Sequence, residues 1–105
     1  MDSKLYEIEI KDGNRVIKDV LDEHELGLSS AIVEKICYAI ENNLNKINIA
    51  RLVTDTMCIT IHCSNINYKD SLETNMQNLI KYESYELCAM AKKYLDIIER
   101  KDLEM

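Results

Sequence analysis

Lys46–Cys63, KINIARLVTDTMCITIHC, is the densest run of β-forming residues in the chain, and the segments on either side are placed by it. Met57, Ile59, Ile61 and Cys63 alternate with Cys58, Thr60 and His62. That period of two marks a strand with one apolar face. Upstream, Ile47, Ile49 and Val53 alternate in the same way, and Arg51 interrupts them. Thr54-Asp55 suits a tight reversal between the two runs, although no glycine stands there to take a positive φ. The stretch predicts a hairpin, with one long bent strand as the alternative.

On the N-terminal side, Ile32, Val33, Ile36, Cys37, Ile40 and Leu44 recur at helical spacing, and Glu34, Lys35, Glu41 and Asn42 fill the opposite face. Ser29 or Ser30 is the expected N-cap, and Asn42-Asn43 the C-terminal stop. Asp22–Ser30, which includes Gly27, reads as a charged connection. Leu5–Ile10 alternates, with Tyr6, Ile8 and Ile10 on one face. Lys11-Asp12-Gly13-Asn14 is a turn signal, and Arg15–Leu21 reads as the returning strand of a second hairpin. Its pattern is imperfect: Val16 and Val20 share a face that Ile17 does not.

On the C-terminal side, Ser64–Asn67 leaves the sheet. Asp70 with Glu73 resembles a capping box. Leu72, Met76, Leu79 and Ile80 form one helical stripe, and Leu87, Met90, Ala91, Tyr94, Leu95 and Ile98 form another. The stripe breaks at Lys81–Ser84, which favours two helices over one, and Lys101–Met105 is expected to fray. The whole predicts one α+β domain over residues 1–105. Its sheet is small, mainly antiparallel and four-stranded, with helices on one face, in the order ββαββαα. The other face would carry Leu5, Ile17, Leu52 and Cys58, more apolar surface than one copy hides, which predicts a symmetric homodimer or a partner.

Composition narrows the function. The chain has 105 residues, no proline, two glycines and a formal net charge of −6. Eight of its nineteen acidic residues fall within residues 1–25. That balance argues against direct binding to nucleic acid, which depends on Lys and Arg neutralising phosphates. It suits a protein partner with a basic surface. No apolar run approaches the ~20 residues of a membrane span, and none reads as a targeting segment. Cysteines at 37, 58, 63 and 88 have the wide spacing of reduced, packed thiols, so the expected compartment is the cytoplasm.

Few residues suggest chemistry. Cys58 and His62 share a strand face but stand ~13 Å apart, too far for one metal ion, and Cys63 points the other way. Either cysteine beside His62 or His24 lacks the cationic, accessible setting that activates a thiolate. No phosphate loop or nucleophile elbow is present. The expectation is no catalysis, no metal and no cofactor.

Two stretches suggest contact with a partner. Asp19, Asp22, Glu23 and Glu25 make an anionic run that could meet a basic groove. Tyr82, Glu83, Tyr85 and Glu86 pair aromatic rings, which bury area at low entropic cost, with carboxylates. The leading expectation is a non-enzymatic, acidic interaction module that occupies a basic, nucleic-acid-binding surface of another protein. Small phage or mobile-element inhibitors such as anti-CRISPR proteins are similar in size and charge, and the likeness is one of composition. The alternative is an oligomer that binds or sequesters a small ligand or nucleotide between protomers, with Arg51 and Lys69 as the cations that could meet a phosphate.

Overall fold

The computed structural model describes residues 5–11 and 16–103. The order is β-α-α-β-β-α-α: β1 (Tyr6–Glu9), α1 (Ile17–Glu23), α2 (Glu25–Glu41), β2 (Lys46–Val53), β3 (Cys58–Ser64), α3 (Tyr68–Lys81) and α4 (Tyr85–Leu103). A single 3₁₀ turn, Asn65–Asn67, links β3 to α3.

The sheet is three-stranded and mixed, in the order β1-β2-β3, where a mainly antiparallel sheet of four strands was expected. β1 runs parallel to β2, with Tyr6 beside Ala50 and Ile8 beside Leu52. Parallel neighbours need a crossover rather than a hairpin, and α1 and α2 supply it. The expected second strand, Arg15–Leu21, is therefore corrected to helix over its described part. Val16, Ile17, Val20 and Leu21 recur at helical spacing, and Val20 is buried with Ile8, Ile10 and Leu52. The β-branched residues that suggested a strand carry only a weak preference, which packing overrides. The turn expected around Gly13 lies outside the described residues.

β2 and β3 form the expected antiparallel hairpin, from Lys46 beside Ser64 to Val53 beside Cys58. Its loop manages without glycine. Thr54 Oγ1 accepts the N–H groups of Thr56 at 3.3 Å and Met57 at 3.0 Å, and the Thr54 N–H donates to the Met57 carbonyl. A hydroxyl here does the work that a left-handed glycine does in tighter turns.

One residue changes the reading of the sheet. Asn48 pairs with His62 and Ala50 with Ile61, so Ile49 is an extra residue, a β-bulge. A bulge shifts every later side chain to the other face. Ile49, Ala50 and Leu52 are all buried, while Arg51 is exposed. The apparent interruption at Arg51 is thus the bulge's consequence. Leu52 lies under the helices, and the outer face carries Glu7, Glu9, Asn48, Arg51, Thr60 and His62, all exposed, together with Val53 and Cys58. The greasy outer face expected from Leu5, Ile17, Leu52 and Cys58 does not form: Leu52 is buried, Leu5 is half-buried and Ile17 is on α1.

α2 is the spine. It starts at Glu25 rather than at Ser29 or Ser30, so Asp22–Ser30 is mostly helix. Ser29 is buried and accepts a hydrogen bond from Asn78 Nδ2 at 3.2 Å, and Ser30 Oγ donates to the Leu26 carbonyl. His24, expected within the charged connection, joins α1 to α2 with its Nδ1 2.9 Å from the Tyr6 hydroxyl. Gly27 lets the Tyr6 ring lie against this helix: a Cβ there would meet the Tyr6 hydroxyl and stand 2.7 Å from its Cζ, so the ring would have to shift. Asn43, at φ 56°, ends α2 in a paired capping arrangement: its N–H bonds Ile40 O and that of Leu44 bonds Ala39 O.

α3 begins at Tyr68 after Asn67, so Asp70 lies inside the first turn and makes no capping box. Tyr68, buried, donates to the Leu44 carbonyl at 2.9 Å and ties the start of α3 to the end of α2. Tyr82–Ser84 separates α3 from α4 by the same device as at Asn43. Glu83 takes φ 57°, its N–H bonds Ile80 O, and the Ser84 N–H bonds Leu79 O. α4 continues through Leu103, so Lys101–Leu103 is helical. Val33, Ile36, Leu72, Leu79 and Ala91, each fully buried, join α2, α3 and α4 in one core. Among the described residues no helix is long and apolar enough to cross a membrane.

Candidate partner-binding groove

The two acidic stretches singled out in the sequence converge, but only in part. α2 and α3 run antiparallel, which brings the first residue of α2 to the last turn of α3. Glu25 Oε1 accepts from Lys81 Nζ at 2.7 Å and from the Tyr82 hydroxyl at 3.1 Å. An acid at a helix start and a base at a helix end also suit the two helix dipoles. The Lys81 ammonium, more than Tyr82, holds the Glu25 carboxyl below its ordinary value, against partial desolvation. The Lys81 ammonium is held above its own, chiefly by Glu25, with Asp22 a lesser contributor. Glu25 and Tyr82 thus link the start of α2 to the end of α3. Asp19, Asp22 and Glu23 are exposed on α1, and Tyr85 is exposed at the start of α4.

Glu86 faces elsewhere. It lines an open groove of about 620 Å³ between α2 and α4. One wall is Glu34, Cys37, Tyr38 and Glu41, and the other is Glu86, Ala89, Met90 and Lys93, with Tyr94 beyond. Both walls follow the spacing i, i+3, i+4, i+7, so each is one face of one helix. Cys37, Tyr38, Ala89, Met90 and Tyr94 make an apolar floor. Glu34, Glu41 and Glu86 set carboxylates around it, and Lys93 is the single cation.

The groove is braced from within. Tyr94 donates to Glu41 Oε2 at 3.1 Å, which raises the tyrosine's pKa and fixes α4 against α2. Lys93 Nζ lies 5.5 Å from the Tyr94 ring centroid, over its face. Tyr38 and Met90 stay 38% exposed in the groove, open to a partner. Burial, with a lesser push from Glu34, raises the Cys37 thiol to about 12. The Cys37 thiol therefore stays protonated at neutral pH.

The other residues weighed for chemistry are dispersed. Cys58 is exposed on the outer sheet face, while Cys63 is buried on the inner one with Sγ 3.6 Å from Ser71 Oγ. Among the described residues no three His, Cys, Asp or Glu side chains gather where they could hold a metal ion. Apart from Glu86, the groove residues were not among those singled out. Their signal was present in the sequence as the matching series Glu34-Cys37-Tyr38-Glu41 and Glu86-Ala89-Met90-Lys93, which only the parallel packing of α2 and α4 turns into facing walls. Comparison with family models, with curated proteins and with solved structures finds no match to this chain.

Proposed function

We propose that this chain is a non-enzymatic interaction module whose α2–α4 groove takes a cationic, amphipathic helix of a partner protein. The supporting observation is the groove's make-up: an apolar floor ringed by Glu34, Glu41 and Glu86. A helix that lays its apolar face on Tyr38 and Met90 would meet these carboxylates with flanking Lys or Arg. Glu34 and Glu41 stand seven residues apart on α2, about 10.5 Å along its axis, which matches two bases one heptad apart on the incoming helix. With a net charge of −6, the favoured partner is a protein whose basic surface otherwise holds nucleic acid, and occupation of that surface would inhibit it.

A nucleotide or other phosphate ligand is the weaker reading, because three carboxylates around the groove repel an anion. The test is charge reversal in two places, with capture of the partner by tagged protein as the readout. Glu34, Glu41 and Glu86 changed together to Lys should abolish capture. Asp19, Asp22 and Glu23 changed together to Lys should leave it. The opposite pattern would move the interaction to α1 and overturn the groove reading.

A further inference from the structure

We infer that β3 pairs antiparallel with β3 of a second copy, joining two three-stranded sheets into one of six strands. Among the described residues β3 is a sheet edge, with β2 on one side only. Edge strands are ordinarily protected by charge or proline. The opposite edge is so protected, since β1 carries Glu7 and Glu9. β3, CITIHCS, has neither an acid nor a Lys, Arg or Pro. In a chain of net charge −6, it is a strip free of carboxylates on which two copies can meet without acid repelling acid.

The backbone parity is right for pairing. The Asn65 N–H bonds Asn45 O at one end of the hairpin, and the Thr54 N–H bonds Met57 O at the other. Alternation from those ends turns the backbone groups of Ile59, Ile61 and Cys63 toward β2. Those of Cys58, Thr60, His62 and Ser64 turn to the open side. A two-fold axis at Ile61 sets Thr60 opposite His62 of the second copy and Cys58 opposite its Ser64. These are the residues whose groups face outward, so each such pair exchanges both N–H···O bonds.

The side chains agree with a second copy as the occupant. Met57, just before β3, and Ile66, in the 3₁₀ turn just after it, are strongly exposed, at 57% and 84%. The same axis brings the Met57 end of each β3 to the end of the other strand that leads into Ile66. Ile59, 39% exposed on the inner face, comes opposite Cys63 of the second copy. This pairing is independent of the α2–α4 groove, and its failure would leave the groove reading untouched.

Sedimentation of the whole chain at low micromolar concentration tests the inference. The wild type should sediment as a dimer. Thr60→Pro removes a donor on the open side and leaves the β2 ladder alone, as proline at an edge can. It should weaken dimerisation at least about tenfold, with an unchanged far-ultraviolet spectrum. Thr60→Lys, which sets two cations beside the axis and alters no backbone group, should do the same if the proline variant fails to fold. A monomeric wild type overturns the inference, as does a dimer that survives in the folded variant.

Discussion

Tyr82 donates its phenolic proton to the Glu25 carboxylate at 3.1 Å, across 57 residues of chain. Lys81 reaches the same oxygen, so one carboxylate closes α2 onto α3. Glu25 has its pKa lowered in the fold, chiefly by Lys81. The stability it contributes is present above the ordinary carboxylate value and is lost as pH falls through the lowered one. Lys81, raised mainly by Glu25, behaves in the opposite sense: its contribution is present below its ordinary value and is lost as pH rises through the raised one. Urea unfolding of wild type and Glu25→Gln should therefore show separate midpoints at neutral pH. The two midpoints should converge as pH falls below ~4.

The bulge at Ile49 makes neighbouring residues unequal. Leu52 is buried with Ile8, Ile10 and Val20, while Arg51 is exposed on the outer face. Leu52→Ala should cost about 2–5 kcal/mol, the price of a cavity that the core only partly refills. Arg51→Ala should stay within about 0.5 kcal/mol of wild type. Chemical denaturation of both variants checks the pair. An equal cost would place Arg51 inside and remove the bulge.

Gly27 and Tyr6 are matched. A Cβ at Gly27 would force the Tyr6 ring away and break its bond to His24. The lost Tyr6–His24 bond, about 1 kcal/mol, works against the helix gain of alanine over glycine, so Gly27→Ala should change stability by less than about 1 kcal/mol. In a Tyr6→Ala background the same change should stabilise by about 0.5–1 kcal/mol, because the clashing ring is gone and only the helix gain remains. Thermal unfolding of the four proteins in this cycle gives the coupling.

Glu83 holds φ 57° between α3 and α4, a conformation that favours glycine. Its cap depends on backbone groups of Ile80 and Leu79, not on its own side chain. Glu83→Gly should raise stability by about 0.5–1 kcal/mol. A loss on thermal unfolding would mean that the glutamate side chain makes an interaction of its own.

Local signals carried the parts of the fold that depend on neighbouring residues. The β2–β3 hairpin follows from alternation, the stop at Asn43 from its tolerance of a positive φ, and the gap at Tyr82–Ser84 from a broken stripe. The signals that failed are those decided at long range. Val16, Ile17, Val20 and Leu21 fit a helix by spacing and a strand by branching, and the parallel pairing of β1 with β2 selects the helix. Arg51 looked like an exception because alternation cannot reveal an inserted residue before its partner strand is known. Ser29 has the chemistry of a cap, yet Asn78 buries it in mid-helix. Of the eight residues in the two acidic stretches, Glu25 and Tyr82 meet each other and Glu86 reaches the groove. The groove itself needed the packing of α4 beside α2.

A photo-cross-linking residue placed at Met90, in the groove, and another at Asp19, on α1, tests the proposed role most directly. With whole protein in the cells that make it, the Met90 position should capture a single partner, joined through a helical segment rich in Lys or Arg. The Asp19 position should capture it weakly or not at all. Capture through Asp19 with silence at Met90, or a captured segment that is acidic or extended, would contradict the groove as the partner's seat.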